Sequence, residues 1–225
     1  MHKNLNMLYV VGTPIGNLDD ISERVLETLE EVDFILSEDT RTTQKLLNHF
    51  DINTKLESFH QHSSQDRIDY LLNLLEEGED LALVTESGTP TISDPGGRLV
   101  DQAYEAGFDI TPIPGPSALV TAASVSGFPM NDFLFLGFPP KKKRSKFFEK
   151  VAGSEYPVII YESPHRIIKT LNDIRNVVKN NTRIFVGREL TKKFESLYRG
   201  KVSEVIQEVK SDPQKGEYTI IVEKG

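Results

Sequence analysis

The polar segment running Thr85, Glu86, Ser87, Gly88, Thr89, Pro90, Thr91, Ile92, Ser93, Asp94, Pro95, Gly96, Gly97 is thirteen residues long and holds three glycines and two prolines. It is longer than an ordinary strand-to-helix connection, and loops of that length without secondary structure of their own are usually functional. Its glycines let backbone amides and carbonyls approach a ligand, while Glu86, Ser87 and Thr89 offer partners to an amino or carboxylate group. A second turn follows the apolar residues around Ile113, with Pro114, Gly115, Pro116, Ser117 and Ala118; a helix starting near Ser117 aims free amides into the same crevice. A third is Gly12, Thr13, Pro14, Ile15, Gly16, Asn17, Leu18. It lacks the lysine and hydroxyl of a P-loop, and Pro14 stands where a dinucleotide fingerprint needs its second glycine, so it does not read as a nucleotide-phosphate cradle. A plain strand-to-helix turn fits it as well as a ligand loop does.

Three further segments gather charge. In Ser37, Glu38, Asp39, Thr40, Arg41, two acids and a base crowd the start of a helix, as a substrate site or as simple capping charges. Tyr161, Glu162, Ser163, Pro164, His165, Arg166 lie between a strand and a helix, with Pro164 suited to a first helical turn. A carboxylate, an imidazole and a guanidinium there can act on a substrate, and Glu162 with Arg166 equally fits an interdomain ion pair. Pro139 and Pro140 precede four successive cations, Lys141, Lys142, Lys143 and Arg144, with Phe147 and Phe148 just beyond. Such runs are commonly solvated surface, yet cations in a loop beside aromatics are what grips phosphates and stacks bases.

The elements that must position these loops alternate. Leu8 to Val11, Phe34 to Leu36, Leu81 to Val84 and Ile110 to Ile113 read as strands. Ile21, Val25, Leu26, Leu29 and Val32 form one helical stripe, and Ile68, Leu71, Leu72 and Leu75 another, the latter capped by Ser64. Alternation of this kind predicts an α/β domain with a Rossmann-like, mostly parallel sheet, whose ligands sit outside the carboxyl ends of the strands. The helical pattern after Pro116 breaks at Gly127 to Asp132, read as the linker between domains spanning 1–126 and 127–225. In the second domain Phe133 to Phe138, Val158 to Tyr161, Ile184 to Val186 and Tyr218 to Val222 read as strands, with helices around Ile167 to Val178 and Val202 to Val209.

Composition narrows the class. Of 225 residues 38% are hydrophobic and 27% charged, with too much patterned apolar content for disorder, so a folded enzyme is expected. No run of about eighteen apolar residues exists, and Lys3 and Asn4 precede only a short apolar segment, so neither a membrane span nor a signal peptide is read. Without cysteine there is no disulfide and no thiolate ligand or nucleophile, which suits a cytoplasmic protein. The net charge of −8 argues against coating nucleic acid, but leaves room for RNA contact through one basic patch.

Taken in order, VGTPIGNLDD, SEDTR, ESGTPTISDPG, PGPSA, ESPHR and KGEYTIIVEKG resemble the tetrapyrrole-methylase superfamily over nearly the whole chain, and within it the 16S ribosomal RNA cytidine 2'-O-methyltransferases. The resemblance implies two α/β domains, the second with a mixed sheet and helices, S-adenosyl-L-methionine in the cleft between them, a homodimer, and no metal. It implies cofactor contacts from Pro14, from Ser87, Gly88 and Thr89 through Ile92, from Ser117 and Ala118, and from Leu190, Gly216, Glu217 and Tyr218. Where this family usually has Asp-Ala-Gly-Thr-Pro, the chain has Glu86, Ser87, Gly88, Thr89, Pro90; porphyrin-methylating relatives show Gly-Asp-Pro there, so Thr89 favours the RNA branch. The implied reaction is methylation of a cytidine ribose in 16S RNA of the small ribosomal subunit, cytidine-1402 in the family. A ribose hydroxyl is a poor nucleophile, so removal of its proton or stabilisation of its developing charge falls to Glu162, Arg166, Glu38 or Arg41. RNA contact falls to Lys141, Lys142, Lys143 and Arg144. A methyltransferase of the same fold acting on a precorrin or uroporphyrinogen, and a non-catalytic module that binds S-adenosylmethionine or RNA, are the competing readings.

Overall fold

A computed structural model describes residues 7–224, so Lys3 and Asn4 lie outside the described residues. Contacts divide the chain into two compact units, 1–117 and 118–225.

The first unit runs β1 (Met7–Val11), α1 (Glu23–Glu31), β2 (Phe34–Ser37), α2 (Thr40–His49), β3 (Lys55–Ser58), α3 (Gln65–Glu76), β4 (Leu81–Leu83), α4 (Gly97–Glu105) and β5 (Asp109–Ile113). Its strands lie in the order β3-β2-β4-β1-β5, and every pairing is parallel. Parallel strands covered on both faces need apolar side chains on both, which is why β4 is simply Leu81, Ala82, Leu83, all buried. The helices begin where a side chain can satisfy free amides: Ser22 accepts from Val25 N, Asp39 from Arg41 N and Thr42 N, and Ser64 from Arg67 N. Below them Val25, Leu29 and Val32 of the first helical stripe are buried against Val11 and Ile35, while Ile68, Leu71 and Leu75 of the second pack on Leu8, Leu36 and Leu81.

The second unit runs α5 (Ala118–Ser126), β6 (Leu134–Phe135), α6 (Arg144–Ala152), β7 (Val158–Glu162), α7 (Ile167–Val177), β8 (Arg183–Arg188), β9 (Ser196–Lys201), α8 (Val202–Ser211) and β10 (Tyr218–Val222). Its sheet order is β6-β7-β10-β8-β9, mixed: β6 runs parallel to β7 and the other pairings are antiparallel. The central strand β10 is buried at all five positions. The strand expected over Phe133 to Phe138 is formal only at Leu134–Phe135, although Leu136 N and Gly137 O continue hydrogen bonding to β7. Helix α5, which a boundary at residue 127 leaves with the first domain, packs on β8 and β10 of the second unit.

Two α/β units, one parallel and one mixed, are therefore the architecture. Among the described residues no helix is long and apolar enough to cross a membrane.

Candidate functional site

In the first unit three loops meet at the carboxyl edge of the sheet. Thr13 and Gly88 form a two-bond antiparallel bridge, Thr13 N donating to Gly88 O at 2.8 Å and Gly88 N to Thr13 O at 3.1 Å. The buried Thr13 hydroxyl donates to Thr85 O at 3.0 Å, so the turn after β1 is stapled to the long loop after β4. The turn after β5 is held as closely: Gly12 N donates to Ile113 O at 3.0 Å, and a Cβ on Gly115 would stand 2.5 Å from Gly12 O. Gly88 lies between Ile15 and the Pro116 carbonyl at φ +91°, a backbone conformation that disfavours any side chain. Pro14 and Gly88 are thereby buried, Ser87, Thr89 and Ser117 half-buried, and Ile92 exposed. Among the described residues, five of the six non-glycine residues at positive φ are Thr91 and Ser93 in this loop, Lys143 in the basic run, and Glu189 and Thr191; since each costs about 1–3 kcal/mol, they mark segments that the surrounding structure must enforce.

Glu38 and Arg41 also stand at this edge, after β2, and both are exposed. Asp39 between them is committed to capping α2. Hydrogen bonds from the amides of Arg41 and Thr42 hold its carboxyl below the usual aspartate value.

In the second unit Leu190 and the stretch Gly216 to Tyr218 come together because β8 and β10 are paired, Tyr218 opposite Arg188. Glu189 braces this junction: its Oε1 accepts from Glu217 N at 3.0 Å and from Lys192 Nζ at 2.9 Å, and its side chain fills the space where a Cβ on Gly216 would lie. Burial pushes the Glu189 carboxyl up, but the bonds from Lys192 and Glu217 N and the charges of Lys192 and Arg188 outweigh it, leaving it below its ordinary value. Burial likewise raises the Tyr218 phenol. The Thr191 and Tyr218 hydroxyls are buried with no hydrogen-bond partner among the described residues, each a group whose burial is costly until something pairs with it. Ala118, half-buried, opens α5, and the Tyr161 hydroxyl accepts from Leu119 N at 3.0 Å.

The charged segments of this unit behave differently from one another. Glu162 is 1% exposed, its Oε1 accepting from Ser163 N at 2.7 Å and pairing with Arg166 at 2.8 Å, its Oε2 accepting from the Thr170 hydroxyl at 2.5 Å. The ion pair therefore lies inside the second unit, and Pro164 lies in a turn ahead of α7, whose cap is Arg166. His165 is exposed. Lys141, Lys142 and Lys143 are exposed, whereas Arg144 begins α6 and turns inward to Asp173 at 2.8 Å and to Thr170. Phe147 and Phe148 are helical rather than in a loop. Phe148 is only 2% exposed beneath the Arg144 guanidinium, so the aromatic next to the cations belongs to the core and has no face for a base.

Several contacts at these candidate segments escape a sequence reading. Thr13 as a staple and Gly12 against Gly115 are signalled only by glycines at matching ends of neighbouring strands. Glu189, Thr191 and Thr170 carry no local signal, since each acts through residues distant in sequence.

Loops converging at the carboxyl edge of a parallel sheet, in a chain whose second unit is built on a mixed sheet, define a class of fold that can be compared directly. The sequence matches the profile of Tetrapyrrole (Corrin/Porphyrin) Methylases over residues 7–206, and the chain belongs to that family. It is 43% identical over 219 residues to the Ribosomal RNA small subunit methyltransferase I of Thermotoga maritima, covering 97% of this chain and 98% of that one. It is 45% identical to the protein of the same name from Halalkalibacterium halodurans, over 96% of this chain and 75% of that one. The structure of a cobalt precorrin-4 methyltransferase from cobalamin biosynthesis superposes with a TM-score of 0.72 at 17% identity, covering 99% and 97% of the two chains, a likeness of fold.

Proposed function

We propose that this chain is an S-adenosylmethionine-dependent methyltransferase acting on ribosomal RNA, and that it methylates the 2'-hydroxyl of a cytidine ribose in the small-subunit 16S RNA, cytidine-1402 in the family. The observation that carries the proposal is the stapling of the β1, β4 and β5 turns through Thr13, Gly88, Gly12 and Gly115, in a chain 43–45% identical along nearly its whole length to relatives named as small-subunit ribosomal RNA methyltransferases.

The residues suit the cofactor. S-adenosylmethionine presents amino, carboxylate and hydroxyl groups and an adenine ring. The buried hydroxyls of Thr191 and Tyr218 need such partners, and the glycine-lined turns leave backbone amides and carbonyls unobstructed. Pro14, Ser87, Gly88, Thr89, Ile92 and Ser117 of the first unit and Ala118, Leu190, Gly216, Glu217 and Tyr218 of the second would hold it. When bound, it supplies an activated methyl group on a sulfonium, so the protein's part is alignment and exclusion of water. The exposed Glu38 can accept the hydroxyl proton and the exposed Arg41 can stabilise the developing oxyanion. Glu162, whose carboxylate oxygens are already engaged, is poorly placed for either task. Exposed Lys141, Lys142 and Lys143 meet phosphates. On the same reading the enzyme works in the cytoplasm as a homodimer and needs no metal.

Mass spectrometry of 16S RNA from cells with and without the gene tests the proposal. A ribose methyl on one cytidine that vanishes with the gene and returns with it is the expected result; identical modification in both strains refutes it. Transfer to a uroporphyrinogen instead of ribosomal subunits by the purified protein would favour the tetrapyrrole alternative.

A further inference from the structure

The ion pair of buried Glu162 with half-buried Arg166 is one end of a chain of bonds that finishes on the basic turn. The Glu162 carboxylate is shut away from solvent, with Ser163 N and Arg166 Nη2 on one oxygen and the Thr170 hydroxyl on the other. Thr170 has one hydroxyl proton and gives it to Glu162, so its oxygen accepts from Arg144 Nη2 at 2.7 Å. Arg144 Nε in turn binds Asp173 at 2.8 Å, and its plane lies over Phe148, 5.1 Å from the ring centre. Each guanidinium also donates to the chain ahead of the lysines. Arg166 Nη1 donates to the Pro139 carbonyl at 2.8 Å, and Arg144 Nη1 to the Pro140 carbonyl at 3.3 Å. Consecutive prolines have no amide hydrogen, so carbonyl oxygens are the only backbone groups by which this stretch can be gripped. Beyond it Lys141, Lys142 and Lys143 are exposed, and Lys143 leaves at φ +56° into α6, a conformation that a lysine keeps only when its surroundings impose it.

We propose that Glu162, Arg166 and Thr170 are positioning residues that act through the Pro139 and Pro140 carbonyls to hold the Lys141–Lys143 turn in the shape in which it grips the RNA backbone. The inference rests on the reading of that turn as an RNA contact. It separates Glu162 and Arg166 from proton transfer: their loss weakens capture of RNA and leaves the methyl-transfer step in place.

The test uses the full chain with unmethylated small ribosomal subunits, comparing wild type, Thr170→Val, Arg166→Gln, the triple variant Lys141→Ala/Lys142→Ala/Lys143→Ala, and Arg166→Gln combined with the triple. The readouts are kcat, KM for subunits, the salt dependence of binding to 16S RNA, thermal melting, and the rate of tryptic cleavage after residues 141–143 in the variants that keep the lysines. The triple variant is expected to flatten the salt dependence of log K by about one unit per lysine that touches a phosphate. Arg166→Gln and Thr170→Val are expected to raise KM about five- to tenfold, a change of the size found when coupled polar contacts are cut. They should also speed tryptic cleavage with kcat held within about twofold, and Arg166→Gln should add nothing to the triple variant because both act on one turn. If the triple variant binds RNA normally, the RNA reading of the turn fails and the clamp has no such role. If the triple variant weakens binding but Arg166→Gln and Thr170→Val do not, the clamp alone is refuted. A collapse of kcat in those two variants, with KM and cleavage rate unchanged, would also overturn it and return Glu162 and Arg166 to the reaction itself.

Discussion

Gly12 and Gly115 bring two backbone turns of the first unit into close approach, and adding one methyl group there tests whether that approach shapes the candidate site. A Cβ on Gly115 would lie 2.5 Å from Gly12 O, 2.6 Å from Gly12 C and 2.8 Å from its Cα. Ordinary contacts of this kind begin near about 3.5 Å, so the two turns must part by roughly 1 Å. Neither can yield cheaply, because the obstacle is backbone and Gly12 N is bonded to Ile113 O while Thr13 is stapled to Gly88. Overpacking costs about 1–3 kcal/mol, and one strained or broken backbone bond about 0.5–1.5 kcal/mol. Gly115→Ala should therefore destabilise the protein by about 2–4 kcal/mol, or about 4–16 °C in Tm for a chain of this size. Gly97→Ala is the control: its Cβ meets nothing within 4 Å, at the first residue of α4, so the change should be neutral or stabilise by up to about 1 kcal/mol. Scanning calorimetry reads the stability, and titration calorimetry with S-adenosylmethionine reads the site, whose affinity should drop with Gly115→Ala alone. A Gly115→Ala protein melting within about 2 °C of wild type, with unaltered affinity, would refute the reasoning.

Three further outcomes follow from the same geometry. Gly88→Val sets a β-branched side chain at φ +91° against Ile15 and the Pro116 carbonyl, so S-adenosylmethionine binding should fall below calorimetric detection while circular dichroism stays that of a folded protein; retained affinity would remove Gly88 from the site. Glu189 titrates below its ordinary 4.5 in the folded protein, so the stability it contributes is present above that pH and is lost as pH falls through the folded value. Glu189→Gln should lower stability at neutral pH and flatten its decline below about pH 4.5, measured by urea unfolding across pH; parallel curves for the two proteins would contradict the brace. Phe148, enclosed in the core of the second unit, should cost about 3–5 kcal/mol as Phe148→Ala, with the salt slope of RNA binding unchanged in the folded fraction; a shallower slope would mean that the ring meets RNA after all.

How much was legible follows from where each side chain points. Central strands are legible because burial on both faces demands unbroken apolar runs, as in Leu81 to Leu83 and Tyr218 to Val222. The edge strands β3 and β9 are not: β3 reads Lys55, Leu56, Glu57, Ser58 and β9 carries Arg199 and Lys201, polar wherever the sheet faces solvent, so neither has a strand signal of its own. Helix α6 is obscured in the same way, because four cations beside two phenylalanines read as a loop, whether solvated or gripping RNA, and not as the start of a helix. The helix forms because Phe148 has a core to enter, and that core is made by strands and helices far along the chain.

The loops that could hold a ligand, and their order, were determined by sequence alone, since glycine, proline and polar residues clustered after apolar runs constrain the backbone locally. Tertiary structure decided which of those groups touch. Thr13 reaches Gly88 because parallel pairing puts β1 beside β4, and Glu189 reaches Glu217 because β8 lies antiparallel to β10. Glu162 spends its charge inward because β7 and α7 enclose it. Such contacts join residues separated by up to 75 positions, and a local pattern has no means of encoding a distance that only the pairing of strands creates.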